Sequence, residues 1–275
     1  MDPEQQATGR FLAKSDGIVS GLAVVEQVFA IVGKGKVTVE WTVKDGDFVR
    51  KGTVFGHVKG PAQLLLNGER VALNFIQRMS GIATMTRRFM DCRVSGSKLQ
   101  ILDTRKTVPG LRMVDKLAVR HGGGTNHRVG LYDMMMIKDN HVTAAGGITQ
   151  ALQKTRKYFQ DHPDQTVPVE IEVRTLDEVK ELIADGASGV QRIMLDNMVS
   201  FTESGEVDAS MLQEALELLK SGGLGHIETE ASGNMNLDTV RAVSAFPGLT
   251  FVSIGALTHS VTAMDISLKI RLTNE

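Results

Sequence analysis

VPVEIEV (Val167–Val173) runs into TLDEVKELIADG (Thr175–Gly186), a β-branched run of strand length followed by a helix-forming segment closed by glycine. Five other short apolar runs share this setting: LQIL (Leu99–Leu102), MMMI (Met134–Ile137), RIML (Arg192–Leu195), HIET (His226–Thr229) and TFVSI (Thr250–Ile254). SMLQEALELLKSGG and NLDTVRAVSAF lie among the later ones, and the Asp or Ser starts and Gly ends of such segments are ordinary helix caps. Short apolar runs alternating with amphipathic stretches are the pattern of repeated βα units around a parallel sheet. The spacing predicts an α/β, TIM-like barrel, closed or nearly closed, over 97–259.

Upstream of Gly96 the rhythm differs. Ile18–Gly60 is rich in Val and Gly, carries KVTVEWTV and a turn at Lys44–Asp47, and reads as β-rich. Its VKDGDFVRKGTVFGHVKG has the hairpin rhythm of a biotin- or lipoyl-carrying module, yet offers no lysine at the expected hairpin tip. From Glu69 to Asp91, Ala72, Phe75, Ile76, Met79, Ile82, Ala83 and Phe89 recur at three- and four-residue steps. That spacing predicts an amphipathic helix, broken or bent near Gly81. The expected division is therefore 1–96 and 97–259.

In an α/β barrel the C-terminal strand ends share one mouth. Asp103, Thr104 and Arg105 follow the first run, Lys138, Asp139 and Asn140 the second, and Glu172 lies near the end of the third. Asp196 and Asn197 follow the fourth, Glu230 and Ser232 the fifth, and Gly255 the sixth. A polar residue at one strand end is unremarkable, but polar residues at every end argue for a site. Between Arg105 and His141 there are seven Lys or Arg against three Asp, in a chain whose formal net charge is -1, so positive charge is concentrated there. Arg105, Lys106, His127, Arg128 and Lys138 suit a planar carboxylate, which guanidinium pairs bidentately. Glu172 and Asp196 would repel an anion unless they hold Mg²⁺ or sugar hydroxyls. SGN (Ser232–Asn234) and IGAL (Ile254–Leu257) can offer backbone N–H groups to a phosphate.

TRKTVPGLR, GGGTNHRVGL, MIKDNH, EIEV, LDNM, EASGN and SIGALTHS, in this order, resemble the quinolinate phosphoribosyltransferases over roughly Gly21–Lys269. The resemblance implies an N-terminal α/β sandwich over 1–96, with a C-terminal helix at about 260–275 packing back onto it, and a barrel of six to seven strands. It implies transfer of phosphoribosyl from phosphoribosyl pyrophosphate (PRPP) to quinolinate with decarboxylation, giving nicotinate mononucleotide, carbon dioxide and pyrophosphate in NAD synthesis. Matched motif by motif, quinolinate falls to Arg105, His127, Arg128 and Lys138, with Lys106 between the two substrates. Arg70 falls where the family supplies an arginine from the partner of a homodimer with shared sites. Glu172 and Asp196 would take Mg²⁺ and ribose, and Ser232, Gly233, Asn234, Ser253, Gly255 and Ala256 the 5'-phosphate side. The chemistry is expected of Lys106, Lys138, Glu172 and Asp196. The sequence departs from the family in a further N-terminal segment, which it lacks and which implies a weaker dimer. The alternative is a related phosphoribosyltransferase acting on nicotinate or another small aromatic acid.

Composition narrows the rest. No run of eighteen apolar residues could span a membrane, and one Trp, two Tyr and no basic stripe outside the mouth argue against nucleic acid. The single cysteine, Cys92, excludes an internal disulfide and suits the cytoplasm, or an organelle after removal of a leader. The histidines have no zinc-ligand spacing. Arg112, Lys116 and Arg120 at four-residue steps read as a solvated helix face, Met134, Met135 and Met136 as core, and His121 and His141 as packing or hydrogen-bonding residues.

Overall fold

A computed structural model describes residues 4–273. The chain falls into two compact units: residues up to Met90 with Lys106–Thr125 and those from Gly255 onward, and Asp91–Arg105 with Asn126–Ile254. The segment Lys106–Thr125 thus groups with the first unit, whereas the sequence division at 96/97 placed it with the barrel.

The first unit is built on an antiparallel sheet of four strands, in the order Ile266–Leu272, Gln6–Ala13, Val54–Pro61, Thr38–Trp41. Along Gln6–Ala13 every second residue is buried, as the two-residue period of a strand requires. Phe11 and Phe55 go inward with Phe29, Leu65 and Ile76, and Trp41 stacks on Phe55 at 6.1 Å between ring centroids. Each large side chain buried in this way contributes about 1.5–3 kcal/mol.

Three expectations are corrected in this unit. Leu22–Gly33, read as part of a β-rich stretch, is a helix. Its buried Leu22, Val25, Phe29 and Gly33 follow a helical period, and packing of that face overrides the strand preference of its valines. The helix around Gly81 is a continuous 30-residue helix, Ala62–Asp91. Gly81 serves close approach: a Cβ there would lie 2.3 Å from the Thr262 carbonyl oxygen. The expected C-terminal helix is instead the strand Ile266–Leu272, antiparallel to Gln6–Ala13, preceded by a short helix at Ala256–His259. ISLKIRL alternates apolar and polar residues, which a strand edge can use and a helix cannot. Residues 274 and 275 of that expectation lie outside the described residues.

The second unit carries a parallel sheet of six strands in the order Gln100–Leu102, Phe251–Ser253, Glu228–Ser232, Arg192–Asp196, Val169–Val173, Met135–Ile137. Its two edge strands are consecutive in the chain, so the expected six-stranded α/β barrel is present with one unpaired seam. The helix Leu176–Asp185 starts on a capping box, with the Glu178 amide donating to Thr175 Oγ1 at 3.1 Å and the Glu178 carboxylate accepting from the Thr175 amide. The fifth strand lies two residues beyond its expected start, at Glu228–Ser232 rather than His226–Thr229. Register then sets the chemistry: Glu170 pairs with Arg192 and Arg192 with Glu228, Glu172 with Met194 and Met194 with Glu230, and Asp196 with Ser232. The period of two puts these side chains on one face, opposite the buried Val169, Ile171, Val173, Ile193 and Leu195.

Candidate active site

In the second unit Asp103, fully buried after the first strand, folds the TNHR stretch onto itself. Its Oδ1 accepts the His127 amide at 2.9 Å and its Oδ2 the Asn126 side-chain amide at 2.6 Å. The His127 ring, with 6% of the residue exposed, then sits 2.9 Å from Glu170 Oε2 and 3.3 Å from Glu230 Oε2 through Nε2, while Nδ1 accepts the Arg128 amide at 2.7 Å. Glu230 also meets Arg192 Nη1 at 3.3 Å, and that guanidinium lies 4.0 Å above the Phe251 ring centroid.

Burial pulls His127 towards neutrality, but hydrogen bonds and charge from Glu170 and Glu230 outweigh it and raise its pKa to about 9. Glu170 is raised by burial and by Glu230, whereas in Glu230 burial is outweighed by His127, Ser253 and Arg192 and the pKa falls.

Arg128 is held by the Met134 carbonyl oxygen at 3.1 Å and meets Met136 Sδ at 3.4 Å. Its pKa is lowered by burial and then by the charge of Arg105. Asp133 accepts the Val129 and Gly130 amides, which closes the loop behind Arg128. Met134, Met135 and Met136 are half-buried rather than core, because their strand is a sheet edge; Met135 and Met136 line a cavity of about 450 Å³ beside Arg128.

At the strand ends, Lys138 Nζ donates to Glu172 Oε2 at 3.1 Å. Asp196 Oδ2 accepts from Asn197 Nδ2 at 2.5 Å and lies 3.9 Å from Arg174 Nε. The LDN and SGN loops are joined: the Asn197 amide donates to the Ser232 carbonyl oxygen at 2.9 Å, and Asn234 Nδ2 to that of Val199 at 3.1 Å. Asn197 and Asn234 have φ of 58° and 54°, a conformation asparagine tolerates. At Gly233, φ 82°, a Cβ would fall 2.2 Å from Asn197 Oδ1, so only glycine fits.

The structure thus brings Lys138 onto Glu172, and Asp196 together with Ser232–Asn234 through Asn197. It places Ser253 within its strand, buried and bonded to Glu230. Arg70, Lys106, Gly255 and Ala256 belong to the first unit: Arg70 on an exposed face of Ala62–Asp91, and Lys106 with its stem against Gly255. Lys116, expected on a solvated face, is buried with 2% exposure, because its helix packs that side inward beside Asp115. His121 and His141 do hydrogen-bond, to the Ser20 hydroxyl at 2.8 Å and from the Lys138 amide at 3.0 Å. Strand ends pointed to Asp103 and Glu230 but gave them no role, and they did not point to Glu170 and Arg192, although Glu170 stands two residues from Glu172 and so shares its face.

A family model described as quinolinate phosphoribosyl transferase, C-terminal domain, matches residues 82–269, and its N-terminal counterpart matches residues 1–80. The chain is 50% identical over 270 residues to the mitochondrial quinolinate phosphoribosyltransferase [decarboxylating] 2 of Nicotiana glauca, covering 97% of this chain and 74% of that one. It is 42% identical over 272 residues to a probable nicotinate-nucleotide pyrophosphorylase [carboxylating] of Bacillus subtilis, covering 99% and 86%. Among solved structures, NadC from Streptococcus pyogenes superposes with a TM-score of 0.86 at 35% identity, covering 100% of this chain and 90% of the other.

Proposed function

We infer that this chain, which belongs to the quinolinate phosphoribosyltransferase family, transfers phosphoribosyl from PRPP to quinolinate with loss of carbon dioxide, giving nicotinate mononucleotide and pyrophosphate for NAD synthesis. The observation that carries the reading is the cation Arg128, fixed by the Met134 carbonyl oxygen beside a cavity of about 450 Å³ and subject to the charge of Arg105. A dicarboxylate supplies the negative charge that these cations need. Lys138, anchored to Glu172, would add a third cation. A monocarboxylate such as nicotinate, the substrate of the alternative reading, brings half the negative charge to these cations.

As pyrophosphate leaves, positive charge builds at ribosyl C1', and the ring nitrogen of quinolinate must approach in line. Arg105, Arg128 and Lys138 would fix the ring through its carboxylates, which sets that approach, and Lys106, by its match to the family motif, would meet the departing charge. Quaternising the nitrogen makes the adjacent carbon able to carry the electron pair left when the 2-carboxylate departs as carbon dioxide, and a proton from water then completes the C–H bond of nicotinate mononucleotide. Ser232, Gly233 and Asn234 would offer backbone N–H groups to the 5'-phosphate, a role the match to the family motifs also gives to Gly255 and Ala256.

Glu172 and Asp196 fit Mg²⁺: both are oxygen donors at strand ends, and their bonds to Lys138 and Asn197 each use a single oxygen. The ion would supply charge neutralisation to the pyrophosphate as it leaves. His127, Glu170 and Glu230 also lie close enough to hold an ion, but Arg192 already compensates Glu230 and the imidazole nitrogen suits Mg²⁺ poorly. The assembly proposed is a homodimer in which Arg70 reaches the partner's site. In support, Arg70 stands on an exposed helix face beside the exposed Leu66 and Val71. The compartment proposed is the cytoplasm, or an organelle after leader removal; no helix among the described residues is long and apolar enough to cross a membrane.

Release of labelled carbon dioxide from carboxyl-labelled quinolinate tests the reaction. Release that needs both PRPP and Mg²⁺, matched by nicotinate mononucleotide, is expected; none from folded protein would turn the reading to a monocarboxylate substrate. Mixing Arg70→Ala with Lys138→Ala protein tests the shared sites, since hybrids should regain activity.

A further inference from the structure

Within the first unit, one buried network ends on the backbone around Lys106. The Thr258 hydroxyl donates to the Lys106 carbonyl oxygen at 2.9 Å. The Thr258 carbonyl oxygen accepts Arg78 Nη2 at 3.1 Å. Arg78 grips Asp115 with two bonds, Nε to Oδ1 and Nη2 to Oδ2, each 2.8 Å. Asp115 Oδ2 then accepts the Val108 amide at 3.3 Å, which brings the chain of bonds back to within two residues of Lys106. Thr107, between the two pinned residues, accepts Arg112 Nε through its hydroxyl at 3.2 Å.

Asp115 and Thr258 are fully buried. A buried carboxylate held by a bidentate guanidinium is weak evidence of added stability, since desolvation offsets much of the attraction; its firmer product is a defined geometry. Three separate stretches supply that geometry: Arg78 from Ala62–Asp91, Asp115 from Arg112–His121 and Thr258 from Ala256–His259. All three converge on a short exposed segment that carries a flexible lysine. The lysine stem is constrained as well, because a Cβ on Gly255 would come within 3.2 Å of Lys106 Cδ and 3.0 Å of His259 Cδ2. The two backbone pins fix where the side chain starts, and Gly255 leaves room for its stem to pass.

We propose that Arg78, Asp115 and Thr258 are positioning residues for Lys106, acting on the reaction through the direction of its side chain. This rests on the role given to Lys106 in phosphoribosyl transfer. The test is kinetic, in the full chain with quinolinate, PRPP and Mg²⁺. Thr258→Val removes the hydroxyl while keeping the shape, and should lower kcat about tenfold with the quinolinate KM within about twofold. Thr258→Ser keeps the hydroxyl and should return kcat to within about threefold of wild type. In a Lys106→Ala background, Thr258→Val should cost less than about twofold more, because its effect passes through the missing ammonium.

An equal loss in both backgrounds, a failure of serine to rescue, or an unchanged kcat overturns the proposal. If Thr258→Val does not fold, Arg78→Lys carries the same cycle, since an ammonium keeps the charge but not the bidentate grip. A wild-type protein with no PRPP-dependent release of carbon dioxide overturns the functional reading, and this inference falls with it. Active wild type with an indifferent Thr258 overturns the positioning role alone.

Discussion

In the first unit the sheet's inner face is closed by Phe11, Phe29, Phe55 and Ile76; in the second, one face of the parallel sheet carries Glu170, Arg192 and Glu230, with His127 set against them. Hydrocarbon packing is non-directional, so each contact in the first unit needs only volume and shape. The charged cluster needs every partner at once, because an acid left alone inside a protein is expensive. That face gives up simple packing, and in return His127 and Arg128 are tied to fixed points beneath the strand ends.

The comparison can be broken at its most robust end first. Phe55→Ala should lose about 3–5 kcal/mol of unfolding free energy in urea titration, as a large buried ring leaves a cavity; a loss under about 1 kcal/mol would mean that the sheet recloses around the gap and that shape matters little there. Arg105→Ala should reduce kcat/KM for quinolinate about 100-fold, close to 2.7 kcal/mol, with the unfolding midpoint nearly unchanged. Wild-type kinetics would remove Arg105 from the site, and a collapse of stability would recast it as structural. Asp196→Asn should weaken use of Mg²⁺ and PRPP about tenfold while sparing quinolinate binding measured alone. Equal loss of both ligands would make Asp196 a support of the LDN and SGN loops.

The smallest effect sharpens the comparison through pH. The folded pKa of His127, about 9, lies above its ordinary 6.5, so its contribution to stability is complete below about 6.5 and is lost as pH rises through about 9. Melting temperatures across that interval should fall for wild type and change less for His127→Gln. Parallel curves would show that the proton is not held by this cluster.

The alternation of strands and helices could be read because each βα unit repeats a local pattern, as VPVEIEV and TLDEVKELIADG do. The motif residues near strand ends were legible for the same reason. Leu22–Gly33 was not, since valine favours strands locally and only packing of Val25 and Phe29 decides for helix. ISLKIRL announced its strand by strict alternation, but its partner Gln6–Ala13 lies at the other end of the sequence, where local pattern gives no guide. Glu170 carried a weaker sign, sharing a strand face with Glu172, and Glu230 stood among the strand-end residues without a role; that both meet His127 depends on where Asp103 folds the intervening loop. The pins on Lys106 were out of reach altogether, because Arg78, Asp115 and Thr258 are brought together only by folding.

The pairing of Ile266–Leu272 with Gln6–Ala13 also sets a timetable. On the ribosome, Gln6–Ala13 can pair with Val54–Pro61 early, but its other edge has no neighbour until every barrel strand has been made. For most of synthesis the nascent chain therefore displays an open strand edge, a template for joining with any other extended segment nearby. Among chains truncated at different points and set free, chaperone capture should accordingly end once Ile266–Leu272 is included, which makes this strand a latch on the newborn protein.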